Sequence, residues 1–412
     1  MREHTLNQGG ITMSNHTSLH SNVQGRIFFT VLSCLAKNKN GKKENNMTTA
    51  QKTTTLPFRA DHVGSFLRTE PLKEARLKFA AGEIDAAALD QVETEEITKL
   101  VKDQKENGLK GFTDGEFRRS WWHIDFIENL NGFEGYVPEH GYDFGDVEVR
   151  KYAFRNVGKI SFNPNHPFLA AFKSLNEIVG DQGVAKFTIP SPNEVFYPGY
   201  RNEEIYPSVE AYQADVQQAY IDTVQALYDL GCRYLQLDDV HWGFLCNFVS
   251  DTEEYKADKR IAAENVQAII DAKPADLVLT THVCRGNYKS HHSLEGPYDP
   301  IAEELFGQTN FDGYFLEYDT DRSGGFEPLA YYKGKGRIVL GLVTSKTAEL
   351  EDKEEIKARI KEASKYVPLD QLALSTQCGF ASTEEGNLLT EAEQWAKVRH
   401  VVEIAKEVWP ED

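Results

Sequence analysis

Four residues of the types that bind soft metals recur at spacings suited to the ends of successive strands: His282, Cys284, Glu317 and Cys378. His282 and Cys284 are two apart, so on an extended strand both side chains project to one face. Glu317 follows Cys284 by 33 residues and Cys378 follows Glu317 by 61, about one and two strand–helix units on. Two thiolates, an imidazole and a carboxylate form a tetrahedral donor set for zinc, whereas magnesium and calcium prefer shells of oxygen alone. With its three acidic ligands ionised, such a centre carries net negative charge. It is a poor Lewis acid for water, but it suits an incoming thiol held as a nucleophilic thiolate. The carboxylate is the weak ligand, able to lengthen or leave when a substrate sulfur arrives. The chemistry expected is alkyl transfer onto sulfur rather than hydrolysis.

Ligands so far apart in sequence meet only if a regular scaffold gathers strand ends. From Pro57 onward, short β-rich runs alternate with amphipathic helical patterns. Strands are predicted at 60–65, 111–114, 185–189, 234–237, 277–281, 313–316, 338–342 and 372–375, and helices at 86–107, 209–230, 253–272, 353–366 and 391–408. Eight strands separated mostly by helix-length segments predict an α/β fold, a (β/α)8 TIM barrel, in which catalytic groups come from the C-terminal ends of different strands. Residues 132–162, rich in Gly, Tyr, Phe and Val, predict a small antiparallel insertion after strand two. A doubly wound open sheet is the competing fold, but its glycine fingerprint is missing after the first strand. Nearly every strand end carries a polar or ionisable group: Ser65, Asp114 and Glu116, Ser191 and Asn193, Asp238 with Asp239 and His241, His282 and Cys284, Glu317, Lys346, and Gln377 with Cys378.

Composition narrows the function classes. The chain has 412 residues, 40% of them apolar, and no apolar run approaches the length of a membrane span. A formal charge of −19 argues against nucleic acid as a partner, because phosphate backbones need clustered Lys and Arg. Five scattered cysteines (34, 232, 246, 284 and 378) are too few for a disulfide framework and fit a reducing, cytoplasmic location. Cys232 and Cys246 read as inert core residues. Residues 1–46 have no sustained period and carry six basic residues against two acidic ones, so they are expected to be a disordered extension. An apolar island at 27–36 resembles a short signal-peptide core, which sits poorly with free thiols. All three methionines lie at or before Met47, which is a credible initiator, and 47–412 is expected to be one catalytic domain.

In chain order, the motifs Gly64-Ser65-Phe66, Gly115-Glu116, Gln236-Leu237-Asp238, His282-x-Cys284, Glu317 and Cys378-Gly379 resemble the catalytic C-terminal barrel of cobalamin-independent methionine synthase, particularly its shorter single-barrel relatives. The resemblance runs from about Phe58 to Trp409. It implies a zinc-dependent methyltransferase that makes methionine from homocysteine, with 5-methyltetrahydrofolate as methyl donor and His282, Cys284, Glu317 and Cys378 on the metal. It also implies that Ser65 contacts the homocysteine carboxylate while Glu116 and Asp238 hold its ammonium. Two departures concern the donor. There is no room for the second barrel that helps hold a polyglutamylated folate. Where the long enzymes place a histidine after strand seven, this chain reads Gly341-Leu342-Val343-Thr344-Ser345-Lys346. The leaving group's proton would then come from Lys346, Asp239, His241 or a water, which with Asp238 are the candidate catalytic groups.

Other candidates carry a bland and a functional reading side by side. Trp121-Trp122 can stack on a pterin or simply pack. His291-His292 reads as loop, Arg322 as a partner for an acidic group, and the acidic run 349–355 as the start of a helix. The alternatives in function are another methyl donor or thiol acceptor, a related-barrel decarboxylase or lyase, and a zinc-binding protein without turnover. The porphyrin decarboxylases among related barrels use Arg clusters at the mouth, where this chain carries carboxylates and thiols.

Overall fold

Parallel strands cannot be joined by a tight turn, so each βα unit must return through a crossover, usually a helix, before its next strand can pair. A computed structural model describes residues 55–410 apart from 143, 145, 146 and 148; the segment 1–46 and Met47 lie outside the described residues. The described strands are β1 (Gly111–Phe112), β2 (Asn131–Tyr136), β3 (Ala153–Ser161), β4 (Val184–Pro190), β5 (Tyr234–Asp239), β6 (Val278–Val283), β7 (Gly313–Glu317), β8 (Arg337–Val343) and β9 (Leu372–Thr376). Seven form one sheet in the order β1-β4-β5-β6-β7-β8-β9, parallel throughout. Strands β5, β7, β8 and β9 are buried at every residue, as expected of a parallel sheet covered on both faces. The insertion is the antiparallel pair β2–β3, whose Phe133, Phe154 and Ile160 join the main core.

The five predicted helices form at Ala86–Glu106, Val209–Asp229, Glu253–Ala272, Lys353–Ala363 and Glu391–Val408. Each begins where a side chain can accept a backbone N–H that the helix itself leaves unpaired: Asp85, Ser208, Thr252, Asp352 and Thr390. The acidic run 349–355 accordingly supplies the Asp352 cap and first-turn Glu354 and Glu355. Two longer helices were missed. Glu70–Ala80 buries only Leu72 and Ala75, too thin a stripe to show a period. Pro167–Val179 buries Phe168, Phe172, Leu175 and Val179 at helical spacing, a readable signal. No helix among the described residues is long and apolar enough to cross a membrane.

The predicted first strand, 60–65, is not a strand. It runs between the two edges of the sheet and touches each by a single bridge, Ala60 to Leu374 of β9 and Ser65 to Gly115 just past β1. Between those bridges, side chains take the place of a ladder. Gln236 Nε2 donates to Val63 O (2.7 Å), Thr113 Oγ1 to Gly64 O (2.6 Å) and Lys186 Nζ to His62 O. The Asp61 carboxylate accepts from the N–H groups of Phe58 (3.0 Å) and His62 (2.8 Å). The carbonyls of His62, Val63 and Gly64 thus find partners, but not the ones strand geometry would supply.

This arrangement depends on a buried ion pair. Lys186, fully buried on β4, lies 3.2 Å from Asp61, and its ammonium stands 3.9 Å from the Phe315 ring centroid. Asp61 also accepts from Tyr234 Oη (2.7 Å). Asp61→Ala should therefore cost about 3–5 kcal/mol in urea denaturation, because the buried ammonium loses the carboxylate it pairs with. Lys186→Met should cost less, since Asp61 keeps three neutral donors. The double variant should be more stable than the sum of the two losses implies.

Candidate metal centre and adjoining cavity

Strand register brings the four candidate sulfur, nitrogen and oxygen donors together. Asp238 lies opposite His282 across β5–β6, His282 opposite Phe315 on β7, and Glu317 opposite Gly341 on β8. Cys284 follows β6, its N–H donating to Asp239 O (2.9 Å), and Gln377 N donates to Val343 O (2.8 Å) to set Cys378 just beyond β9. One donor atom from each of His282, Cys284, Glu317 and Cys378 lies within 4.8 Å of all the others, and no residue of the four is more than 7% exposed. The two Sγ atoms are 3.7 Å apart.

The polar partners at this cluster test whether a metal fits. His282 Nδ1 sits 3.3 Å from Phe315 O, which orients the ring, while Nε2 is buried without a hydrogen-bond partner among the described residues. Leaving such a nitrogen unpaired costs ~1–3 kcal/mol, a penalty that a coordinated cation removes. Glu317 Oε1 accepts from Arg285 N (3.0 Å) and Oε2 from Arg322 Nη2 (2.7 Å). Without a cation, the neighbouring Cys378 thiol and then burial push the Cys284 thiol well above its usual range. Burial also opposes the charge on Glu317, yet Arg322, Lys346, His282 and Arg285 together hold its pKa below the usual value. An orphaned imidazole nitrogen beside two thiols and an ionised carboxylate fits a thiophilic divalent metal.

A cavity of ≈ 340 Å³ adjoins the cluster, lined by His282, Cys284 and Cys378 and also by Ser65, Glu116, Trp121 and Asp238. Glu116 follows Gly115, and the two share the left-handed region at φ 63° and 65°. A Cβ on Gly115 would meet Leu100 Cδ2 at 2.4 Å, so only glycine fits there. The turn buries Glu116, whose Oε1 accepts from Thr188 Oγ1 (3.2 Å), with Arg119 Nη1 3.5 Å away, while Oε2 has no hydrogen-bond partner among the described residues. Burial, against the opposing pull of Arg119, raises its pKa to about 7. Asp238 is raised by burial as well and accepts from Gln236 Nε2 (2.7 Å). Ser65 Oγ accepts from Ala381 N (3.2 Å).

Three of the candidate proton donors are not among the described residues that line this cavity. Asp239 accepts from Asn193 Nδ2 (2.9 Å) and Trp242 N (3.2 Å), and His241 Nε2 is 2.8 Å from Asp258. Lys346 Nζ donates to Gly286 O, Asn287 Oδ1 and His291 O at 3.1–3.3 Å. Arg322 takes its acidic partners from within the protein, Glu317 and Asp319 (2.6 Å). His292 pairs with Glu295 in a loop (3.1 Å). Cys232 and Cys246 are buried, and burial lifts their thiols to about 12 and about 11.

Sequence reasoning missed Glu194 and the ring set Tyr142, Tyr197 and Tyr200, all of which line the cavity. Glu194 lies in a tight turn, Pro192–Val195, directly after β4. A carboxylate just past a strand end with two tyrosines close behind was the available signal. Tyr142 comes from the insertion and gave none.

Comparison with known proteins follows the same lines. Residues 58–407 match the family model described as the catalytic domain of cobalamin-independent synthase. An uncharacterized protein of Bacillus subtilis (strain 168), YxjG, is 50% identical over 364 residues, spanning 86% of this chain and 95% of its own. A methionine synthase of Sulfolobus acidocaldarius is 24% identical over 320 residues, 77% of this chain and 84% of that one. Among solved structures, a candidate vitamin-B12-independent methionine synthase from Listeria monocytogenes superimposes with a TM-score of 0.71 at 47% identity, over 86% of this chain and 99% of that chain.

The seat of Ser65 is checked by a single methyl group. A Cβ on Gly379 would stand 2.0 Å from Ser65 Oγ. Gly379→Ala should therefore displace Ser65 and cost about 1–3 kcal/mol in thermal or urea unfolding. Adding Ser65→Ala should recover part of that loss, because the next contacts, Ser65 Cβ and N, are at 3.1 Å.

Proposed function

The chain belongs to the family of cobalamin-independent synthase catalytic domains, and from that premise we propose that it is a methyltransferase placing a methyl group on the thiol of homocysteine to form methionine. The observation that carries this reading is one cavity bounded by a thiol-rich ligand cluster on one side and two buried carboxyls, Glu116 and Asp238, on another. A thiol-bearing amino acid presents complementary groups. Glu116 and Asp238 take its ammonium, and Ser65 donates to its carboxylate, since Ser65 Oγ accepts from Ala381 N and keeps its own proton to give. Held by His282, Cys284, Glu317 and Cys378, zinc supplies a centre that keeps a substrate sulfur as thiolate below the ordinary thiol pKa of ~8.5 while leaving it nucleophilic.

The remaining residues act through position. Arg322 and the Arg285 N–H fasten Glu317, one oxygen each. Asp239 and His241 serve in this reading as fasteners of the loops beyond β4 and β5 rather than as proton donors. The 60–65 segment takes the eighth position of a (β/α)8 barrel and carries Ser65 to the cavity. No arginine lines the cavity among the described residues, so the observation a decarboxylase reading would need is missing.

The test measures metal and acceptor separately. Purified protein should hold about one zinc per chain, with sulfur neighbours in X-ray absorption, and Cys284→Ser or Cys378→Ser should lose both zinc and activity with the fold intact. Glu116→Gln and Asp238→Asn should keep zinc but weaken homocysteine binding by ~1.5–3 kcal/mol, the worth of a charged hydrogen bond. Glu116 is neutral below its pKa of about 7, so homocysteine affinity should strengthen as pH rises through that value, with a shallower rise in Glu116→Gln. Amide variants that bind homocysteine as tightly as the parent would overturn the proposed orientation.

A further inference from the structure

Resting on the homocysteine reading, we propose that the methyl donor is a small onium compound, a sulfonium or quaternary ammonium, held in an aromatic box of Trp121, Tyr142, Tyr197 and Tyr200 around the Glu194 carboxyl. The cavity wall has three acidic side chains, Glu116, Glu194 and Asp238, and among the described residues no lysine or arginine. Homocysteine's ammonium occupies Glu116 and Asp238. Glu194 is left, lining the same cavity as the rings of Trp121, Tyr142, Tyr197 and Tyr200. Its charge is felt at Tyr142, Tyr197 and Tyr200, whose phenols are pushed up by burial first and by Glu194 among their neighbours. A cation over aromatic faces and beside a buried carboxylate is attracted by both.

The ring geometry favours a compact cation over a flat heterocycle. Trp121 and Tyr142 lie 5.9 Å apart at 57°, Tyr197 and Tyr200 5.9 Å apart at 73°, and Trp121 meets His123 at 87°. These tilted walls form a box, whereas a pterin needs a slot between near-parallel faces. The aminopyrimidinone edge of a pterin also calls for both oxygens of one carboxylate. Glu194 Oε1 already accepts from Val240 N (2.7 Å) and His241 N (3.2 Å). Nearby cations are held by other partners, and one of them covers a face of Trp121. Arg150, over Trp121 at 5.1 Å, pairs with Glu384 and Glu385; Lys346 donates to three oxygens; Lys289 lies 5.4 Å from the Tyr288 ring. A polyglutamate tail is thus offered little. Burial, then the neighbouring Asp239, holds Glu194 well above the usual carboxylate range, a cost that a bound cation offsets.

The leaving group completes the argument. Homocysteine gives up its thiol proton to solvent, and the sulfur lone pair forms the new bond to the methyl carbon. The old carbon–sulfur or carbon–nitrogen bond breaks with its electron pair going to the positively charged atom, which departs as a neutral thioether or tertiary amine. No proton need be delivered. A folate amine would need one, and an onium donor does not.

Two measurements on zinc-loaded, full-length protein test this. Titration with tetramethylammonium, and separately with trimethylsulfonium, should quench tryptophan fluorescence saturably. Glu194→Gln, which keeps an oxygen for the Val240 and His241 N–H groups, should weaken that binding by at least about tenfold while homocysteine affinity stays within about twofold. Methionine should form from homocysteine at least about tenfold faster with S-methylmethionine or glycine betaine than with 5-methyltetrahydrofolate, the two oniums separating sulfonium from ammonium donors. Faster turnover with the folate, or onium binding unaffected by both Glu194→Gln and Tyr197→Leu, overturns the proposal while leaving the homocysteine reading standing. If homocysteine fails to bind, that reading falls, and the onium titrations still decide the box.

Discussion

In-register pairing of parallel strands decides which side chains share a face, and every group at this site inherits its place from it. Side chains alternate along a strand, so a slip of one residue would turn Asp238 and His282 away from the cavity and bring Asp239 and Val283 in. The register is held from inside. Lys186, Gln236 and Thr113 reach across to the carbonyls of His62, Val63 and Gly64, tying the 60–65 segment to β4, β5 and the end of β1. Ser65 therefore sits beside Gly379 and near Glu116 through this interior network together with its single bridge to Gly115.

The electrostatics divide the site in two. Around the ligand cluster, negative charge is matched: Glu317 stays ionised because Arg322, Arg285 and Lys346 outweigh burial. Around the rest of the cavity it is not. Glu116, Asp238 and Glu194 are all raised, each chiefly by burial, and Arg119 only partly offsets this at Glu116. Carboxyls kept in a low-dielectric space without full compensation are poised for cationic groups, since a bound cation lowers the cost of ionising them. One half of the site suits a metal and a sulfur, and the other suits positively charged ends of small molecules.

The relatives include proteins named methionine synthase and others described as uncharacterized. Around this cavity, Glu194, Tyr197 and Tyr200 come from the connection after β4, whereas the candidate metal donors sit at strand ends. Loops accept substitution far more readily than the strands that position the ligands.

The four metal-ligand candidates were legible because thiols and imidazoles are uncommon, and their spacing matched strand ends that hydrophobic runs had already marked. Seven strands and five helices were legible for the same local reasons, burial in a covered sheet and side-chain caps. Period alone also separates Asp238 from Asp239, which point to opposite faces of β5, although listing both as strand-end acids obscures it. The seat of 60–65 was not legible, since the groups replacing its ladder lie far away in sequence, Lys186 and Gln236 among them. Nor was the aromatic box. Glu194, Tyr197 and Tyr200 lie in loops with no period, and Tyr142 arrives from a distant insertion. Sequence determines what repeats along a strand or helix; tertiary structure alone decides which loop side chains meet, because their contacts follow from chain closure and packing rather than from any local spacing.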